Sequence, residues 1–141
     1  MTGLLQGILC WIGRVLLSLI FVMSAANKIL DFPGTMERMR GEGMLMVAFF
    51  LVLAIGFELI GGLSLMLGVK ARWGALLLIA FLIPVTLIFH DFWQYEGQER
   101  MMQMIHFMKN LSILGALTFV LAMGAGPWTL DSRAARRKHR S

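Results

Sequence analysis

The sequence predicts an all-α integral membrane protein: a four-helix bundle made of two antiparallel hairpins, with both termini on the cytoplasmic side. Three observations carry this. Of the 141 residues, 58% are hydrophobic and only 15% charged, and the mean hydropathy of +0.75 is too apolar for a soluble domain of this size. Four apolar stretches approach or exceed the roughly 20 residues that a spanning helix needs. Lysine and arginine are distributed unequally between the connections on the two sides.

The first helix is expected over 4–26, apolar apart from Gln6 and Arg14 and ended by Asn27, Lys28, Asp31 and Pro33. A signal peptide with its apolar core at 15–23 and small residues Ser24, Ala25 and Ala26 is the rival reading, but no cation precedes Arg14. Residues 32–43 read as a loop with one amphipathic turn. The second helix spans about 44–67, and the short turn 68–72 forces the third, 73–89, to run back beside it. Pro84 lies inside that third span and frees a backbone carbonyl, part of which Thr86 can satisfy. A polar and aromatic loop, 90–100, leads to the fourth helix at 104–123, which Gly124, Gly126 and Pro127 end. Residues 1–131 thus form one transmembrane domain and 132–141 a basic tail.

Orientation follows from the cations. Lys70 and Arg72 of the second connection, with Arg133, Arg136, Arg137, Lys138 and Arg140 of the tail, outnumber Lys28, Arg38, Arg40 and Arg100 of the first and third connections. This places both termini in the cytoplasm, with Trp73 and Trp128 at the inner interface and Trp93 at the outer. The tail also accounts for the pI of 10.2, so a topology signal in contact with anionic lipid is preferred over a nucleic-acid partner. Cys10 is the only cysteine, which excludes an internal disulfide, a CxxC redox pair and a thiolate metal cluster. The twelve methionines read as core filler and lipid contact rather than copper ligands.

Ionisable residues inside spans cost about 2.5–3.5 kcal/mol each on insertion scales, so each needs a partner or a purpose. Arg14 and Glu58 each lie about ten residues from the cytoplasmic end of their helices, roughly 15 Å deep, and are expected to form an ion pair, with a structural role preferred over proton or substrate handling. The alternative is that Arg14 snorkels to the headgroups and leaves Glu58 protonated. Gly61 and Gly62, one turn after Glu58 on the same face, leave room for a close neighbour. A second group gathers near the outer leaflet. His106, Lys109 and Asn110 share one face of the fourth helix, and His90, Asn27 and Lys28 lie at the same level on the third and first, with Trp93 nearby. Together they outline an aromatic-walled polar pocket that could take the headgroup of a quinone or similar amphipathic molecule. Interfacial anchoring explains the same residues about equally well. Ligation of haem by His90 and His106 is a weaker alternative, and no spacing suggests a zinc or di-iron site.

These residues together resemble the DoxX family of small bacterial inner-membrane proteins. The resemblance runs from about Arg14 to Asp131 and rests on several elements: Arg14, Phe21 and Lys28; Glu58 with Gly61, Gly62 and Gly68; the stretch His90, Asp91, Phe92, Trp93; and the stretch Phe107, Lys109, Asn110, Leu111. It implies a four-helix membrane protein, and some family members are described as small subunits of a quinol oxidase or thiosulfate:quinone oxidoreductase, or as membrane partners of redox proteins.

The leading expectation is a DoxX-like multi-pass subunit of the bacterial inner membrane, not an enzyme on its own. It would bind a quinone through Lys109, His90, His106 and Asn110, in or beside a redox complex. No other cofactor is evident in the sequence, and no metal. A non-catalytic scaffold that recruits a soluble partner through the tail or an outer loop is the first alternative. The second is a small-solute transporter, which would need a homo-oligomer because four helices leave only a narrow path.

Overall fold

The structure, a computed structural model, describes residues 3–131; the expected basic tail 132–141 lies outside the described residues. The order is α1 (Gly3–Leu30), α2 (Phe32–Gly41), α3 (Val47–Leu67), α4 (Ala71–Phe89), a single 3-10 turn at Phe92–Gln94, and α5 (Gly97–Met123). Four of these helices, α1, α3, α4 and α5, are long and apolar enough to cross a membrane. No strand occurs among the described residues. The all-α, four-span architecture is therefore as the sequence predicts. Neighbouring spans pack in chain order: α1 on α3, α3 on α4 and α4 on α5. Both described chain ends, with the α3–α4 turn, lie at one end of the bundle, the termini end. The opposite loop end carries α2 and the 3-10 turn.

The second expected span begins at Val47 rather than 44 and the third at Ala71 rather than 73, and three further boundaries differ from the sequence expectation. The first helix continues to Leu30 rather than stopping at 26, because Lys28 is held inside the bundle and no breaker precedes Asp31. Residues 32–41 form a full helix instead of a loop with one turn. Asp31 caps it by accepting from the Gly34 N–H, Pro33 stands in the first turn, and Thr35 and Met39 are buried. Met39 packs with Val47 and Leu51 in a small satellite core that folds α2 against the start of α3. The last helix begins at Gly97, seven residues before the expected 104. Its first two turns are polar, so apolar content alone could not reveal them.

Small residues set the helix spacing. A Cβ built on Gly61 would lie 2.6 Å from Leu78 Cγ and 3.0 Å from the Gly74 carbonyl oxygen of α4. One on Gly62 would lie 3.0 Å from Val22 Cγ2 and 3.5 Å from the Ser18 carbonyl oxygen of α1. Two successive glycines of α3 thus draw α4 and α1 onto it from two sides. The main core, which includes Phe21, Leu65, Leu78, Phe81 and Leu117, fills the space these contacts leave.

Beyond α5 the chain folds back. Gly124 and Gly126 take positive φ values of 82° and 72° and turn the segment across the termini end. Asp131 Oδ2 accepts from the Lys70 N–H at 2.7 Å, and Trp128 lies over Gly7, whose added Cβ would come within 2.6 Å of the indole. The first turns of α1 therefore overhang α3 and pack against this strap.

Replacing Gly61 with Ala is expected to lower thermal stability in detergent by about 1–3 kcal/mol, because the methyl must displace Leu78 and a backbone carbonyl. Gly115→Ala, where nothing lies within 4 Å of an added Cβ, should change stability by less than about 0.5 kcal/mol. Thermal unfolding of the two purified variants checks the contrast.

Candidate functional site

The polar side chains of the bundle form two groups. The inner one centres on Glu58, 2% exposed on α3. Its partner is Lys28, whose ammonium lies 3.0 Å from Oε2 and donates to Oε1 at 3.0 Å. Lys28 also donates to Ser24 Oγ one turn back, at 2.6 Å, and sits 5.8 Å from the centre of the Phe81 ring. The ammonium thus has a carboxylate, a hydroxyl and an aromatic face around it. That is how an ion pair is accommodated where water is scarce.

The expected Arg14–Glu58 pair does not form. Arg14, 4% exposed, instead donates to backbone carbonyls of the C-terminal strap: Ala125 O at 2.6 Å, Pro127 O at 3.4 Å and Trp128 O at 2.9 Å. The reason is register. Equal depth holds only if the ends of α1 and α3 are level, but α1 overhangs, and Gly62 lies opposite Ser18 and Val22. Glu58, one turn before Gly62, then faces the turn leading to Lys28. Arg14, one turn before Ser18, lies nearly three turns, roughly 15 Å, from it along the helix axis. Lysine side chains lean toward the helix N-terminus, which carries the Lys28 ammonium back to the carboxylate.

The outer group sits at the loop end. His90 and His106 stack with ring centres 5.1 Å apart and planes at 27°, which leaves no room between them for an iron or a porphyrin. His90 Nδ1 donates to Gln103 Oε1 at 2.9 Å, fixing its proton on that nitrogen. The Lys109 ammonium lies 3.4 Å from His106 Nδ1. Phe92, Trp93 and Phe107 form an edge-to-face cluster, with centre distances of 5.3 Å for Phe92–Trp93 and Phe92–Phe107. Trp93 is exposed.

The remaining expected members are dispersed. Asn110 is buried and donates to Thr86 Oγ1 at 3.0 Å, while Thr86 donates to Leu82 O at 2.6 Å. This hydrogen-bonded relay joins α5 to α4 and leaves Asn110 little capacity for a ligand. Asn27 is exposed on α1, and Lys28 belongs to the inner pair. The single cluster of six thus resolves into His90, His106 and Lys109, with Gln103, which the sequence reading missed. Gln103 lies one turn before His106 on α5, and that spacing was the available signal. No group of three or more His, Cys, Asp or Glu able to hold a metal occurs among the described residues.

Four apolar spans around one internal ion pair define a small multi-pass membrane protein. The chain belongs to the DoxX family, whose family model matches residues 9–91 and so includes Arg14, Lys28, Glu58 and His90. It is 30% identical over 131 residues to inner membrane protein YphA of Escherichia coli, covering 93% of this chain and 94% of that one. It is 31% identical over 120 residues to inner membrane protein YqjF of the same organism, covering 85% and 87%. The ER-derived vesicles protein ERV29 of Saccharomyces cerevisiae is 26% identical over 128 residues, a match that spans 91% of this chain but 34% of that protein. No solved structure matches.

Lys28→Met should cost about 3 kcal/mol of stability by stranding Glu58, and Lys28→Met with Glu58→Gln should recover most of that loss. Arg14→Met with Glu58→Gln should show no comparable recovery over its single variants. Unfolding midpoints of the two double-mutant cycles, compared in one detergent, are the check.

Proposed function

We propose that the chain is a multi-pass subunit of the bacterial inner membrane that binds a lipid-soluble carbonyl compound of the quinone class at His90, His106 and Lys109, beside a redox partner. One observation carries the reading: Lys109 is an exposed cation on a spanning helix whose side-chain partner among the described residues is an imidazole nitrogen 3.4 Å away. An ammonium without a carboxylate in hydrocarbon gains from any strong acceptor, and a ligand carbonyl would supply a charge-assisted hydrogen bond. The adjoining Trp93, Phe92 and Phe107 offer aromatic area to a flat ring. The protein would hold and orient the ligand, while electron transfer would belong to the partner.

The inner membrane placement is supported by the names of the Escherichia coli relatives. For orientation, Lys70 and Arg72 lie at the termini end and the sequence carries five further cations after Asp131, whereas Lys28 is withdrawn into the bundle. Arg38, Arg40 and Arg100 remain to flank the loop end. This bias favours termini in the cytoplasm and the ligand cluster on the outer side. A fluorescent protein fused to the C-terminus should therefore be fluorescent in cells, and an alkaline phosphatase fused there inactive.

The ligand itself is tested by mass spectrometry of lipophilic molecules that copurify in mild detergent, with a short-chain ubiquinone analogue as titrant. Lys109→Met should lose the copurifying quinone and weaken the analogue at least tenfold, as expected for a hydrogen bond to a charged group. Undiminished binding in a folded Lys109→Met protein would refute the site.

A further inference from the structure

Away from both polar groups, the outer side of the α3–α4 hairpin carries a hollow of about 370 Å³. It runs along the seam between the helices, with Ile60, Leu63 and Leu67 on one wall and Trp73 and Leu77 on the other. The glycine contact explains its existence. Gly61 and Gly74 bring the two backbones together, each within 3.0 Å of the other's carbonyl oxygen once a Cβ is added. The larger side chains that flank this contact then stand up on either side of a furrow. They are outward-facing, with Ile60 62%, Leu67 50% and Trp73 68% exposed, so in a bilayer the furrow is filled by hydrocarbon.

Its mouth is distinctive. Lys70 is the one charged residue lining the hollow, and among the described residues its ammonium makes no hydrogen bond or ion pair. The residue is fixed from behind: it adopts the left-handed conformation at φ 46° as the cap of α4, and its backbone N–H is held by Asp131. A non-glycine residue in this conformation costs about 1–2 kcal/mol. The strap therefore holds a lysine at the mouth of the furrow, next to an exposed tryptophan of the kind that sits at headgroup level.

We propose that this furrow is a binding site for an anionic phospholipid, with an acyl chain laid between Ile60 and Leu77 and the phosphate paired with Lys70. Charge decides the class of occupant: an apolar groove with one unpaired cation at its interfacial mouth complements a negatively charged headgroup on a hydrocarbon tail. Size agrees, because about 370 Å³ admits an acyl chain but not a helix about 10 Å across. The site is independent of the quinone reading and shares no residue with it.

Native mass spectrometry of the full chain, released from nanodiscs of equimolar phosphatidylglycerol and phosphatidylcholine, tests the proposal. Wild type should retain phosphatidylglycerol preferentially. Lys70→Gln should reduce that preference about fivefold, the effect of one interfacial cation, and Lys70→Arg should keep it. Arg100→Gln, which removes the same charge at the opposite end, should leave it unchanged, and the roughly fivefold effect of Lys70→Gln should persist in a protein lacking 133–141. Leu63→Trp, which fills the furrow, should reduce retention of both lipids. An undiminished preference in Lys70→Gln would overturn the proposal, as would equal losses in Lys70→Gln and Arg100→Gln. Loss on tail deletion alone would assign the anionic lipid to the tail instead.

Discussion

A carboxylate buried in an apolar bundle must be neutralised from within the protein, and the arrangement of this chain follows from how Glu58 meets that demand. Its 2% exposure removes water as a partner, and the cation that reaches it comes from the far end of α1. For Lys28 to arrive there, α1 must continue through Asn27 and Lys28 to Leu30 and must slide along α3 until Ser18 and Val22 face Gly62. That slide leaves the first turns of α1 without α3 to pack on. The C-terminal strap covers them, and Arg14 binds its carbonyls. One ion pair at mid-bundle is thus coupled to the closure of the termini end.

The same requirement organises the rest of the polar content. In lipid, hydroxyl and amide side chains stabilise only when their partners are local. Ser18 back-bonds to Arg14 O at 2.6 Å, and Thr86 serves both Leu82 O and Asn110. Beside these locally bonded groups, Lys109 and Lys70 stand out as cations turned toward the lipid, one near each end of the bundle. Each is an expense on the membrane side of the protein that a ligand or a headgroup can offset, and each marks a site distinct from the internal pair.

Much of the fold was legible in the sequence because hydrophobic length is a composition property: a run such as 47–67 can be read without knowing what surrounds it. The amphipathic α2 and the polar start of α5 were not, since neither has the apolar run that marks a span. Register was the larger gap. Arg14 and Glu58 were paired on distance from helix ends, a local measure, whereas the observed register is set by Gly62 meeting α1 and by a strap more than a hundred residues away in sequence from Arg14. The loop-end cluster was half legible: the spacing of His106 and Lys109 on α5 revealed a shared face. That Asn110 faces α4 while Lys109 faces outward depends on the packing of that face, which spacing does not determine.

The register of α1 on α3 requires Lys28, and not Arg14, to be the partner of Glu58 in the bilayer. Solid-state NMR dipolar recoupling measures this directly in lipid, between ¹⁵N-labelled side-chain nitrogens and the ¹³C-labelled carboxylate of Glu58. Strong dephasing from the Lys28 ammonium and none from the Arg14 guanidinium is the predicted result, as follows from a separation of 3.0 Å between Lys28 Nζ and Glu58 Oε2. Dephasing from Arg14, or from neither cation, would contradict the register of α1 on α3 and the account of the termini end that depends on it.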